Sequence, residues 1–182
     1  MELVRENNSI LKEVCEPFDF DNPIMSPEKL VEELHNIRKE GAGIGLAANQ
    51  VGLNTRVLVI GMGDFESAGV QDFEQAFFNP VIEFLDKDEV YYMEGCLSFP
   101  GLFVKIKRPE NIMMTWKDVE GNPKEEKFIG MTSRILQHEV DHLNGITFVE
   151  RANRIHLEKA KKELKLSQRR RKKIDRTIYA NR

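Results

Sequence analysis

The sequence predicts an α+β domain, with short strands in small sheets around a central helix and a basic helix at the C-terminal end. Three observations carry that prediction. Apolar and polar residues alternate at helical spacing from about Thr132 to Leu143, a stretch closed by Asn144-Gly145. A series of short runs rich in β-branched and aromatic residues precedes it, each bounded by turn-forming residues. The charge is lopsided: residues 151–182 hold 13 Lys+Arg against Glu158, Glu163 and Asp175, a local sum of +10, and the other 150 residues sum to -13.

The elements follow in order. Ser26-Pro27-Glu28 reads as an N-cap, a proline in the first turn and an acid beside the helix dipole. Leu30, Val31, Leu34 and Ile37 then recur on one face, and Gly41 ends the helix. The apolar run Thr55–Ile60 predicts a buried strand. Residues 61–74, with three glycines, predict a loop. Phe77–Leu85, Val90–Met93, Leu102–Ile106, Ile112–Lys117 and Glu125–Ile129 predict strands, with a turn at Gly121-Asn122-Pro123 between the last two. A final helix is predicted from about Asn153 to Leu166, with Ile155, Ala160 and Leu164 facing the body. The run Arg169–Lys173 has no apolar stripe and is expected to be solvated or disordered.

A chain of 182 residues is long enough for one domain with a substantial core. It has no apolar run long enough to cross a membrane. Residues 1–8 are acidic and polar, unlike a signal or transit peptide, so a cytoplasmic protein is expected. Two distant cysteines make no disulfide framework and suit a reducing compartment.

The chemistry is concentrated in His138-Glu139-Val140-Asp141-His142, an HExxH motif. On a helix, residues four apart share a face, so two imidazoles can grip one metal ion with Glu139 beside its water. Cys96, in Glu94-Gly95-Cys96-Leu97-Ser98, is the best third ligand. Cys96, His138 and His142 would leave a tetrahedral position open for water, as hydrolysis requires. Glu139 is the candidate general base and acid. Glu94 and Asp141 could orient a ligand or simply form salt bridges. A closed site completed by Cys15 is disfavoured, because structural zinc sites bring their cysteines in close pairs. The segment Gly43–Ala48 also fits the dinucleotide pattern G-x-G-x-x-A, but it follows a helix and precedes a strand. The fingerprint needs the opposite order, so no dinucleotide is expected. Gly43 and Gly45 instead allow close backbone approach by an extended peptide. Ile44, Leu97 and Ile135 are candidate walls of an apolar pocket, though each is equally ordinary as core.

The segments Gly43–Gln50, Glu94–Ser98 and Gln137–Gly145 together resemble peptide deformylase, whose motifs read GxGxAAxQ, EGCxS and QHExDH. All three match at every defined position, in the family's order, and the resemblance covers roughly residues 5 to 150. It implies a catalytic domain over 1–150, with 151–182 as a basic helix and tail. It implies removal of the formyl group from the N-terminal formyl-methionine of nascent peptides, with metal-bound water attacking the formyl carbon and formate released. It further implies iron(II) as the natural metal, with zinc, nickel or cobalt able to replace it. Gln50 and the backbone N–H of Leu97 would hold the oxyanion, and the pocket would accept methionine. The chain departs from many bacterial members at Gly101 and Phe103, where those often carry an acid and an arginine. Contacts beyond the first peptide residue are therefore expected to differ.

Two other readings compete. A zinc endopeptidase would bring an additional downstream His or Glu ligand, where this chain has an upstream Cys. An RNA- or ribosome-binding module would explain the basic tail but not the intact metal set. An active enzyme tethered by that tail to the ribosome combines the two, against a merely solubilising terminus.

Overall fold

The computed structural model describes residues 1–62 and 73–180, giving the backbone alone for residue 62 and for 174–180. It contains helices α1 (Pro27–Glu40), α2 (Gly130–Leu143), α3 (Phe148–Arg151) and α4 (Arg154–Ala180). Its strands are β1 (Gly45–Ala47), β2 (Val57–Met62), β3 (Phe73–Phe84), β4 (Glu89–Cys96), β5 (Phe99–Pro109), β6 (Asn111–Lys117) and β7 (Pro123–Ile129). A five-stranded sheet has the order β1-β2-β3-β6-β7, and β4 and β5 form a separate two-stranded sheet. Every pairing is antiparallel.

The apolar run in β2 explains the layering. Successive strand residues point to opposite faces. Val57 and Val59 pack with Leu30, Leu34 and Ile37 of α1, while Leu58 and Ile60 pack with Leu136, Val140 and Leu143 of α2. All four β2 residues are buried. The larger sheet is thus covered by a helix on each face, and β2, paired on both edges, reads as continuous rather than alternating hydrophobicity. α1 starts as expected, with the Ser26 hydroxyl accepting the Lys29 N–H at 3.4 Å and Gly41 at the C-cap.

β3 is longer than expected and carries a register shift between Phe78 and Val81. Asn79 there has φ +53, and Pro80 cannot donate to a ladder. The Asn79 amide secures the irregularity by bonding both the N–H and the carbonyl of Phe18, at 2.7 and 2.9 Å.

Several expectations need correction. The loop expected over 61–74 is strand at both ends, since Gly61 and Met62 pair with Glu74 and Phe73; the rest of that segment lies outside the described residues. β1 was not anticipated, being too short for any period to show. α4 does not stop near Leu166 but continues as helix to Ala180, so Arg169–Lys173 is helical and exposed rather than disordered. Lysine, arginine and glutamine are good helix formers and extend a helix already nucleated by packing. Ile155 is 75% exposed. Leu157, Ala160 and Leu164, spaced three and four apart, make the docking face, and a residue at 155 falls off it. That face closes a third cluster with Phe99, Leu102, Val104 and Ile106 of β5 and Phe148 of α3. Among the described residues no helix is long and apolar enough to cross a membrane.

Phe77 lies fully buried between α2 and the large sheet, with its ring against Trp116 and Phe128. Phe77→Ala should cost about 3–5 kcal/mol. Urea titration checks this as a lower midpoint at unchanged slope; a loss below about 1 kcal/mol would mean this core is not close-packed.

Candidate metal centre

α2 carries His138, Glu139 and His142, and Cys96 is the last residue of β4. The Cys96 sulfur and one nitrogen from each of His138 and His142 lie within 4.8 Å of one another. The Nε2 of His142 is 3.2 Å from the Cys96 Sγ. The Nδ1 of His138 is bonded to Glu94 Oε2 at 3.0 Å, which turns the other ring nitrogen toward Cys96. One thiol and two imidazoles on a buried face suit a tetrahedral divalent cation with one position left over. Glu139 Oε2 adds a second sign of fit: it is buried without a hydrogen-bond partner among the described residues. A buried carboxylate oxygen without a partner is costly unless a group brought into the site uses it. Cys15 lies elsewhere, in the core with Leu143, where burial pushes its thiol up to about 11.

The surroundings set the charges. Burial alone would strip the proton from His138, but bonds to Cys96 and Glu94 and the charge of Glu139 outweigh it and push the group up to about 10. Burial and the neighbouring positive charges of His138 and Arg108 hold His142 well below the ordinary histidine value. A cation entering the site must therefore displace a proton from His138, so its affinity falls in acid. Glu139 is pushed up to about 7, chiefly by burial, with His138 and Arg108 opposing the shift and Glu94 and Asp141 adding to it. A carboxyl poised near neutrality can both take and return a proton.

Glu94 anchors the wall. Burial would raise its carboxyl, but hydrogen bonds from His138 and Arg108, and their charges, hold it well below the usual carboxylate range. Arg108 of β5 donates to Glu94 at 2.8 and 3.1 Å and to Asp141 at 2.5 Å. Arg134, one turn before His138, donates to Glu94 at 3.0 Å. Arg151 donates to Asp141 at 2.6 and 3.1 Å. Glu94 thus touches a candidate ligand, whereas Asp141 is bound by arginines.

Gln50 sits in the one-turn 3-10 helix Ala48–Val51. Its Oε1 accepts the Ala47 N–H at 2.9 Å, which fixes the amide with Nε2 toward Cys96 Sγ and Ser98 Oγ, each at 3.3 Å. Gly45 faces Glu139 so closely that a Cβ built there collides with the carboxylate, and a Cβ on Gly43 would lie 2.6 Å from Leu97 Cδ1. Gly43, Ile44, Gly45, Gln50, Cys96, Leu97, Ile135, His138 and Glu139 line one cleft of about 600 Å³, and His142 lies fully buried behind it. The geometry therefore brings every candidate site residue to one place. Sequence reasoning missed the arginines. A signal existed: Arg108 continues the buried phase of Leu102, Val104 and Ile106 in β5, and Arg134 stands four residues before His138.

Arg108 neutralises two buried carboxylates, while the Arg151 side chain is 44% exposed. Arg108→Met should destabilise the fold by about 3–5 kcal/mol and weaken metal binding about 10- to 100-fold. Arg151→Met should cost no more than about 1 kcal/mol. Chemical denaturation and competitive metal titration of both variants check this; equal losses would refute the asymmetry.

The polypeptide deformylase family model matches residues 1–158. A peptide deformylase of Cytophaga hutchinsonii is 36% identical over 162 residues, covering 89% of this chain and 84% of that protein. The crystal structure of a Synechococcus elongatus peptide deformylase in complex with actinonin superposes with a TM-score of 0.79 at 32% identity, over 90% of this chain and 86% of the other. The class I type b enzyme of Acinetobacter baumannii, solved with Met-Ala-Ser bound, gives 0.75 at 30% identity, over 83% and 97%. Matched along most of its length in sequence, and again in its mixture of helices and small antiparallel sheets, the chain belongs to the peptide deformylase family.

Proposed function

We propose that this chain removes the formyl group from the N-terminal formyl-methionine of nascent peptides in the cleft between β1 and α2, releasing formate. The observation that carries the reading is Glu139: pushed up to about 7, with one oxygen unpartnered, beside Cys96, His138 and His142. A divalent cation held by those three residues would polarise the formyl oxygen and lower the pKa of a water at its open position to about 7. We expect iron(II), with zinc, nickel or cobalt able to occupy the same ligands.

The chain's own residues do the rest. β1 is the edge strand of the larger sheet, where an extended peptide can lie, and Gly43 and Gly45 make room for Leu97 and Glu139 to reach it there. Ile44, Leu97 and Ile135 form the walls around the methionine side chain. Glu139 takes the proton from the attacking water and delivers it to the departing amine. The Gln50 Nε2–H and the Leu97 N–H donate to the oxygen as it gains charge. Gln50 needs no reorganisation for this, because Ala47 already holds its carbonyl end.

We take residues 1–150 as the catalytic unit and 151–182 as a basic extension that holds the enzyme near translating ribosomes in the cytoplasm. The opposite charges of the two parts, -13 and +10, support that division.

The direct test is anaerobic. Protein loaded with iron(II) or nickel(II) should release free amine from formyl-Met-Ala-Ser, and Glu139→Ala should lose about 10²–10⁴-fold in rate. Gln50→Ala should lose about 10²–10³-fold in kcat. Absence of turnover in the loaded wild-type protein would sink the assignment. Separately, deleting residues 167–182 should weaken co-sedimentation with ribosomes, and the intact chain's binding should fall steeply with salt. Binding that ignores salt, or survives the deletion, would leave the tail a solubilising terminus.

A further inference from the structure

The wall of the cleft next to Cys96 is apolar where strand patterning calls for polar residues. In β5, Leu102, Val104 and Ile106 point into the core, and the alternate phase runs Phe103, Lys105, Lys107. That phase is exposed, and Phe103 is its aromatic exception, 59% exposed. The register pairs Phe103 with Gly95 and Lys105 with Met93 on β4. Directly paired residues share a face, as do residues two apart on one strand, so Met93, Gly95 and Phe103 lie together. Gly95 offers no side chain, and the Phe103 ring fills its place: a Cβ built on Gly95 would lie 2.6 Å from Cε1 and 2.8 Å from Cδ1. Met93 is 55% exposed, more than the pocket wall Ile44 at 44%, and both Met93 and Phe103 line the same cleft as Cys96.

We propose that Met93 and Phe103 form a selective subsite, and that it favours a bulky apolar side chain at the second or third residue of the peptide. The proposal rests on the deformylase reading above and assigns those two residues a role in choosing among its substrates. Distance supports the assignment. Met93 is three residues from Cys96, about 10 Å along a strand at roughly 3.3 Å per residue. An extended peptide whose formyl carbon sits at Cys96 covers that length with its first three residues. The first side chain is taken by the walls of Ile44, Leu97 and Ile135, so the second and third residues lie along Glu94 and Met93, and the one whose side chain points to the exposed face meets Met93 and Phe103. A ring laid over a glycine presents an apolar surface to the cleft. Serine or aspartate gains nothing there, whereas leucine or phenylalanine removes apolar area of its own and of both side chains from water.

Three tetrapeptides test this with the metal-loaded enzyme: formyl-Met-Ser-Ser-Ser, formyl-Met-Phe-Ser-Ser and formyl-Met-Ser-Phe-Ser. One phenylalanine peptide should exceed the serine parent by about tenfold in kcat/KM, mostly through KM, as partial burial of apolar side chains warrants. Met93→Ser and Phe103→Ser should each bring that ratio toward one. Because the ratio is taken within each variant, a general loss of activity cancels. Equal rates for all three peptides in the wild-type enzyme would overturn the subsite and leave deformylation standing. A preference unchanged in both variants would overturn it as well. No cleavage of any peptide would overturn the deformylase reading and the subsite together.

Discussion

The site depends on one buried carboxylate, Glu94. It lies on β4, accepts from Arg108 on β5, from Arg134 on α2, and bonds the imidazole of His138. Glu94 and its partners lie on three elements, of which only β4 and β5 share a backbone ladder, because α2 packs across the other sheet. Apolar packing tolerates sliding, whereas a carboxylate with bidentate and monodentate partners fixes both distance and direction. Cys96 lies two residues beyond Glu94 on the same strand, so holding Glu94 against α2 also holds the thiol against the two histidines. Asp141 repeats the device lower on the helix by joining Arg108 to Arg151, which follows directly on α3. Such buried ion groups add little net stability over apolar packing, and their value here is position.

Glycine does the complementary work. Gly45 brings β1 against Glu139, Gly43 admits the Leu97 side chain, and Gly95 is covered by Phe103. Each removes a Cβ where a functional side chain from another element must lie. The motif that mimics a dinucleotide fingerprint thus uses its glycines for close approach by protein side chains.

Much of this was legible in the residues. The spacing of His138 and His142 places both imidazoles on one helix face, and three short motifs select the third ligand. The strand runs, α1 with its serine cap, and α2 all follow from periodicity and capping chemistry. What was not legible has physical reasons. β1 has three residues, too few for a period. The bulge in β3 reflects Asn79 held by Phe18, a contact sixty-one residues away in sequence. The extent of α4 follows from helix propensity in a charged segment with no apolar stripe to announce it. Arg108 was overlooked because its charge, next to Lys105 and Lys107, outweighs to the eye the apolar phase of Leu102, Val104 and Ile106 that it continues.

The electrostatics around Glu139 explain why so much charge is gathered so near a reacting centre. Burial pushes its carboxyl up, and Glu94 and Asp141 push the same way, while His138 and Arg108 pull it down. Removing Arg108 would take away one of the two positive charges that lower the Glu139 carboxyl, and removing Glu94 or Asp141 would take away part of what raises it. A group that must do both within one turnover belongs near neutrality, at about 7. The Glu94–Arg108–Asp141 array that positions the ligands is therefore also the array that sets the proton affinity of the base, and one set of buried charges serves both purposes.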